Sequence, residues 1–206
     1  MNRRTFLSAS LTSTAVSAPL LGKDRDPKTG GNAKSGKKLA WQNGKSYWPI
    51  CLDTATLDKG IGLEDKLRLA AEAGFDCVEP WDRELDQYEK QGGNLKDIKS
   101  LVADLGLYIP SVIGLWNSMD ASEESFKTRL DEHRNRLRMV SAIGSRKVQV
   151  IPNMKLKDSF DHNVASWCYR QILEMVIEDY GMEGAGIVFL NFFSPLSSIA
   201  DATKVA

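Results

Sequence analysis

Histidine and cysteine are scarce in this chain of 206 residues, which holds two of the first and three of the second. Two histidines leave little material for an imidazole-rich metal cluster. Three thiols, an odd number, do not make a disulfide framework in a chain this long. An excess of charge of either sign is also missing: Lys+Arg and Asp+Glu both number 27, so no basic surplus points to nucleic acid as a partner. Long apolar runs are absent as well. The best candidate, Phe6 to Leu21, is interrupted by serine, threonine and Pro19, which excludes a stable membrane span. What is present is ordinary for one soluble domain, 42% hydrophobic and 26% charged residues.

Residues 1–21 read as an export signal. Asn2-Arg3-Arg4-Thr5-Phe6-Leu7-Ser8 resembles the twin-arginine signature, with paired arginines, one spacer, then Phe and Leu. A mildly apolar stretch follows and ends in Val16-Ser17-Ala18, a small-residue cleavage site. This places the protein in the periplasm or cell envelope; a tail with a chance Arg-Arg would leave it in the cytoplasm. Twin-arginine routes carry folded chains, so the cysteines stay reduced during folding. Residues 22–46 are rich in Gly, Lys, Asp and Asn without apolar periodicity, and read as a flexible linker. Within it, Gly31 to Lys38 nearly spells a phosphate-binding loop, but Lys38 stands where Ser or Thr must hold magnesium, and no strand precedes it.

From Tyr47 the pattern alternates. Strand-like Trp48 to Asp53 leads into a helix over Leu63 to Ala73, with Leu63, Leu67, Ala70 and Ala71 on one face and Gly74 behind it. Asp76 to Trp81 is a second strand. Arg83 to Gly93, rich in Glu and Lys, reads as a long loop that would overhang the strand ends as a lid. Asn94 caps a second helix whose stripe is Leu95, Ile98, Leu101, Val102 and Leu105, and Gly106 stops it. Leu107 to Leu115 is a third strand, and its Pro110 needs a position where the missing N–H is tolerated. Asp120 and Glu123 resemble a capping box opening a third helix with Phe126, Leu130, His133, Leu137 and Val140 inward, ended by Gly144. Arg146 to Pro152 is strand four, a fourth helix spans about Asp161 to Tyr180, and Gly186 to Phe193 is strand five. Ser197 to Ala206 opens one more helical pattern, and the sequence stops there.

Such alternation requires parallel strands joined by right-handed crossovers. Periodicity alone leaves two architectures, an open doubly wound parallel sheet and a closed (β/α)8 barrel. Residues 47–206 are too few for a complete barrel of about 250 residues. Leu63-Glu64-Asp65-Lys66-Leu67, continuing through Ala70-Ala71-Glu72-Ala73-Gly74-Phe75-Asp76-Cys77-Val78-Glu79, resembles the opening of the xylose isomerase-like barrels. This is the sugar phosphate isomerase/epimerase group, which shares its fold with abasic-site nucleases. The resemblance covers about residues 47–206 and implies a partial (β/α)8 TIM barrel of about five strand–helix units.

It also implies a chemistry. In that family a divalent metal of the Mn, Mg, Zn or Co type sits at the C-terminal mouth, held by Glu, Asp, His and Glu from strands five to eight. The ion polarises the sugar's carbonyl and hydroxyl while carboxylates move a proton between neighbouring carbons. Aligned on Leu190-Asn191, the strand-five Glu falls on Val188, and strands six to eight have no counterpart here. The expectation is therefore a sugar isomerase/epimerase-like protein with no metal ligands and no activity as this truncated chain. The alternative is a non-catalytic carbohydrate-binding remnant or structural module. An abasic-site nuclease is disfavoured, since the core holds only His133 and His162.

Barrel chemistry collects at strand C-termini, which here offer Asp53, Glu79, Trp81, Trp116, Asn117, Asn153 and Asn191. Glu79 is the candidate catalytic carboxylate, and Trp81, Trp116 and Asn191 are candidates for binding a small carbohydrate, the tryptophans by stacking on a sugar ring. Asp53 is expected to cap the turn that follows it. His133 is expected to be packed with its nitrogens satisfied, and His162 to be exposed. Cys51 and Cys77 fall on adjacent strands and read as buried free thiols. Arg134, Arg136 and Arg138 read as a solvated helix face. Open edges at strands one and five make self-association the expected partner interaction.

Overall fold

The spacing of Leu63, Leu67 and Ala70 produces helix α1 (Leu63–Ala73), and all three side chains are buried in the computed structural model, which describes residues 48–189 and 194–206. Glu64 and Asp65 lie in its first turn, where the helix dipole favours carboxylates. Gly74 closes it in the left-handed conformation, φ +85°, its N–H bonded to the carbonyls of Ala70 and Ala71. The twin-arginine-like segment and the linker lie outside the described residues.

Five strands alternate with the helices: β1 (Cys51–Asp53), β2 (Cys77–Glu79), β3 (Val112–Trp116), β4 (Lys147–Ile151) and β5 (Gly184–Ile187). All pairings are parallel. β1 pairs with β2, and β3 with β4 and β4 with β5. Parallel bridges Cys77–Tyr108 and Trp81–Ile113 join β2 to the segment leading into β3. Pro110 lies in the gap between these bridges, where no ladder hydrogen bond is asked of it. The strand order is thus 1-2-3-4-5 without reversal. A doubly wound sheet must reverse its order at a switch point, so the open-sheet alternative is set aside. Right-handed crossovers in an unreversed order place every helix on one face, and the arrangement is a partial barrel, open among the described residues.

The intervening helices are α2 (Asp82–Lys90), α3 (Leu95–Asp104), α4 (Glu123–Lys127), α5 (Leu130–Ala142), α6 (His162–Glu174) and α7 (Ile199–Val205). Asn94 caps α3 through Lys96 N–H, and Asp161 caps α6 through the N–H groups of Asn163 and Val164. A single π turn, Met175–Asp179, prolongs α6. The core joins the inward stripes of these helices (Leu67, Ile98, Leu137, Ile172) to the outward-facing strand residues Val78, Val112, Val148 and Val150. No helix among the described residues is long and apolar enough to cross a membrane.

Three expectations are corrected. The lid-like loop is helix α2, whose stripe consists of little more than Leu85, fully buried, and Tyr88, packed at the core's edge. The third helix is two: Ser122, not Asp120, caps α4 through Ser125 N–H, and the chain restarts as α5 after Arg129. β5 begins at Gly184, earlier than its apolar run suggests.

Both histidines also differ from expectation. His162 is half-buried, edge-on to Phe160 at 5.3 Å. His133 is packed, 0% exposed against Phe126 at 5.3 Å, but neither ring nitrogen has a hydrogen-bond partner among the described residues. Burial pushes its pKa down to about 4, with Arg136 and Arg129 acting in the same direction against Glu132 and Asp120. An unfolded histidine titrates near 6.5. The unfolded chain therefore takes up a proton in a window where the folded chain does not, and stability falls as pH drops from 6.5 towards 4. The loss across the window is about 3 kcal/mol. Urea unfolding at neutral pH and near the lower end of this window should show that loss in the parent chain and a much smaller one in His133→Phe.

Candidate functional site

The register of β1 on β2 sets Asp53 directly beside Glu79 at the C-terminal ends of the strands. Asp53 Oδ1 accepts the Ala55 N–H at 2.9 Å, capping a 3-10 turn (Thr54–Thr56) as expected, and also the Trp81 indole N–H at 2.7 Å. One carboxylate oxygen thereby fixes both the exit of β1 and the orientation of a ring from the end of β2. Glu79, half-buried, accepts a hydrogen bond from the Gln149 side-chain amide on β4. The two side chains meet across the β3 position on the face away from the helices.

Trp81 and Trp116 stack, with ring centroids 5.5 Å apart and planes 29° from parallel. The Arg83 guanidinium lies 4.1 Å from the Trp81 centroid. Both rings are half-buried, and Trp81 is in addition covered on one side by Arg83. Trp116 is aimed by an irregular strand end. The β3–β4 register shifts between Ile113 and Trp116, and the flanking residues Leu115 and Asn117 have left-handed backbones, φ +51° and +58°. Neither is glycine, so the segment is strained. Gly114 sits in close approach to α2: a Cβ would lie 3.0 Å from Cβ of Asp82.

Asp82 opens α2 from a buried position. Its carboxylate accepts the Arg83 N–H at 2.7 Å and lies 3.0 Å from Arg136 Nη1, with the polar edge of the Trp116 indole also favouring its charged form. Burial raises its pKa above the ordinary carboxylate value, more than Arg136 and these hydrogen bonds lower it. Arg136 is consequently not the solvated helix-face residue expected; Arg138 also reaches away from its helix, to Glu89.

Glu84 is the centre of a second network. It accepts Lys66 Nζ at 2.7 Å, the Trp81 backbone N–H at 2.9 Å and the Thr54 hydroxyl. Lys66 Nζ also donates to the Thr54 carbonyl at 3.0 Å. On the far side, Asp120 accepts from Ser125 Oγ (2.7 Å), the Ala121 N–H (2.8 Å) and Asn153 Nδ2 (3.3 Å), and pairs with Arg129 Nε (2.9 Å). Burial would raise the Asp120 pKa, but these donors and the Arg129 charge outweigh it and hold the carboxyl below its usual range.

Of the residues singled out, Asp53, Glu79, Trp81 and Trp116 form one connected group, and Asn153 belongs to the Asp120 network. Asn191 lies outside the described residues. Val188 follows the end of β5, its N–H donated to the Val150 carbonyl at 3.0 Å. Sequence reasoning missed Lys66, Glu84, Gln149 and, of Asp120's partners, Ser125 and Arg129. Only Glu84 carried a local signal, three residues after the helix start at Trp81, the capping-box position. The donor set does not fit a divalent ion. No three of His, Cys, Asp and Glu converge among the described residues, and the neighbouring carboxylates Asp53 and Glu79 already accept internal hydrogen bonds. What the group can do is stack an apolar face and accept hydrogen bonds from hydroxyls.

No family model matches the chain, and no curated protein matches it. Solved structures do. A xylose isomerase-like TIM barrel/4-hydroxyphenylpyruvate dioxygenase fusion protein superposes with a TM-score of 0.66 at 21% identity, over 76% of this chain and 24% of that one. The IOLI protein, solved with a zinc atom, gives 0.65 at 16% identity over 77% and 58%. The 3-keto-D-glucoside 4-epimerase of E. coli gives 0.57 at 18% identity over 76% and 62%. At these identities the likeness establishes the fold alone, that of part of a TIM barrel. The chain spans between 24% and 62% of the length of these three proteins.

Lys66 and Glu84 side chains are 5% and 13% exposed, so removing one partner strands a buried charge. Lys66→Met should cost about 3 kcal/mol in chemical denaturation. The double variant Lys66→Met/Glu84→Gln should recover most of that loss, a coupling that a double-mutant cycle reads directly.

Proposed function

We propose that this chain carries the sugar-binding part of an isomerase/epimerase-like barrel site, and that by itself it binds a small carbohydrate without turning it over. The observation that carries this reading is the Trp81–Trp116 stack beside Asp53 and Glu79 at the strand ends. An indole face suits the C–H side of a sugar ring, and adjacent carboxylates suit its hydroxyls. Glu79 is the group in place to hold or move a proton on a ligand carbon; Gln149 fixes its orientation without neutralising it. The barrel fold shared with a sugar epimerase supports the same substrate class. In a complete site of this type a divalent metal would polarise the carbonyl, and its ligands are not among the described residues.

Two lesser readings accompany it. The twin-arginine-like start of the chain supports export to the periplasm or envelope. The outer edges of β1 and β5 pair with no strand among the described residues, which supports self-association. Sedimentation should then show dimers or larger species of the purified chain, and a sharp monomer would remove that reading.

Titration of tryptophan fluorescence with free aldohexoses and ketohexoses should give a saturable change, weakened about tenfold or more in Trp116→Ala. Aldose–ketose interconversion with added manganese or cobalt should stay at background. No saturable binding of any sugar would end the carbohydrate reading. Turnover that disappears in Glu79→Gln would end the claim of inactivity.

A further inference from the structure

The opposite end of the first two strands holds a second cluster, unrelated to the mouth. Cys51 of β1 and Cys77 of β2 are register partners, so their side chains leave the sheet on the same face. Tyr108 bridges to Cys77 on its other side. Cys77 is close enough to Cys51 and to Tyr108 to raise the pKa of each. Both cysteines are free. Cys77 is buried and Cys51 is exposed, against the expectation that both would be buried, because β1 has no strand partner on its outer side among the described residues.

We propose that Cys51 and Cys77 are a redox pair that closes to a cross-strand disulfide by exchange with a low-molecular-weight disulfide. Neighbouring parallel strands lie about 4.8 Å apart, inside the range of Cα separations that disulfides span. The exposure difference sets the order of events. The accessible Cys51 sulfur, as thiolate, attacks the reagent disulfide, forms a mixed disulfide and releases one reagent thiolate, which takes up a proton. The Cys77 sulfur then gives up its proton, attacks the Cys51 sulfur and expels the second reagent thiol. Two protein thiols are oxidised and one reagent disulfide is reduced to two thiols. Cys168, buried in α6, has no part in this.

The exchange is slow. Although Cys51 keeps an open side, partial desolvation of its sulfur, its interaction with Cys77 and the charges of Glu79 and Asp53 push the thiol up to about 12. The Asp76 carboxylate and the Tyr108 hydroxyl complete the surroundings of the pair. A neutral reagent avoids repulsion from these carboxylates, and the bond once formed ties β1 to the rest of the sheet.

The test incubates the full chain with 2-hydroxyethyl disulfide, quenches by alkylation, and reads intact mass and non-reduced peptides. The expected result is loss of two hydrogens, one remaining alkylatable thiol at Cys168, and a peptide linking Cys51 to Cys77. Cys168→Ser should oxidise at the same rate as the parent. Cys51→Ser should lose the oxidation altogether, and Cys77→Ser should stop at the mixed disulfide on Cys51. A stable mixed disulfide on Cys51 in the parent chain, a link through Cys168, or crosslinking only between chains would each overturn the proposal. The parent-chain peptide map decides the matter even if a serine variant fails to fold.

Discussion

One carboxylate holds the mouth end of this half-barrel together. Glu84 receives an ammonium from α1, a hydroxyl from the turn after β1 and the backbone N–H of Trp81 before α2. These donors come from three separate stretches of chain, and the one carboxylate gathers them at a largely buried position. The position of Trp81 follows from it, and so does that of Trp116, which stacks on Trp81. Asp53 adds the indole N–H to the same assembly. The candidate site is thus built on polar contacts behind the rings rather than on the rings themselves.

That arrangement explains what could be read from sequence. Helix ends were legible because their signals are local: Asn94 and Asp161 cap within three residues, and Gly74 supplies a left-handed turn at the end of its own helix. Strand–helix alternation was legible because apolar residues recur at helical spacing within each helix, as Leu63, Leu67 and Ala70 do, and are buried as that spacing implies. Helix α2 was not, since its nine residues are nearly all polar and only Leu85 is a fully buried apolar side chain, too little apolar content to mark a stripe. Its helical character comes from the Glu84 capping contact and from packing on its neighbours. The start of β5 was missed for a related reason: Gly184, Ala185 and Gly186 have weak strand preference and are held by β4.

The site divides in the same way. Asp53, Glu79, Trp81 and Trp116 could be chosen because barrel strands deliver their last residues to one rim. Their partners could not. Gln149 is seventy residues from Glu79 along the chain, Lys66 is eighteen from Glu84, and no spacing rule connects them. The orphaned nitrogens of His133 illustrate the converse. Its place on an inward stripe was readable, but whether an acceptor stood opposite depends on the elements packed against it, which periodicity does not report.

The left-handed pair around Trp116 has an implication for how this chain tolerates change. Leu115 and Asn117 each hold a conformation that costs a side-chain-bearing residue about 1–2 kcal/mol. Glycine at position 117 would relieve that strain, so stability alone would select it. The same substitution would also widen the backbone conformations open to the residue after Trp116, so the indole would be aimed less firmly at Trp81. Stability and ring alignment therefore pull the same codon in opposite directions, and asparagine, among the most tolerant of side chains in that conformation, stands as a compromise between them.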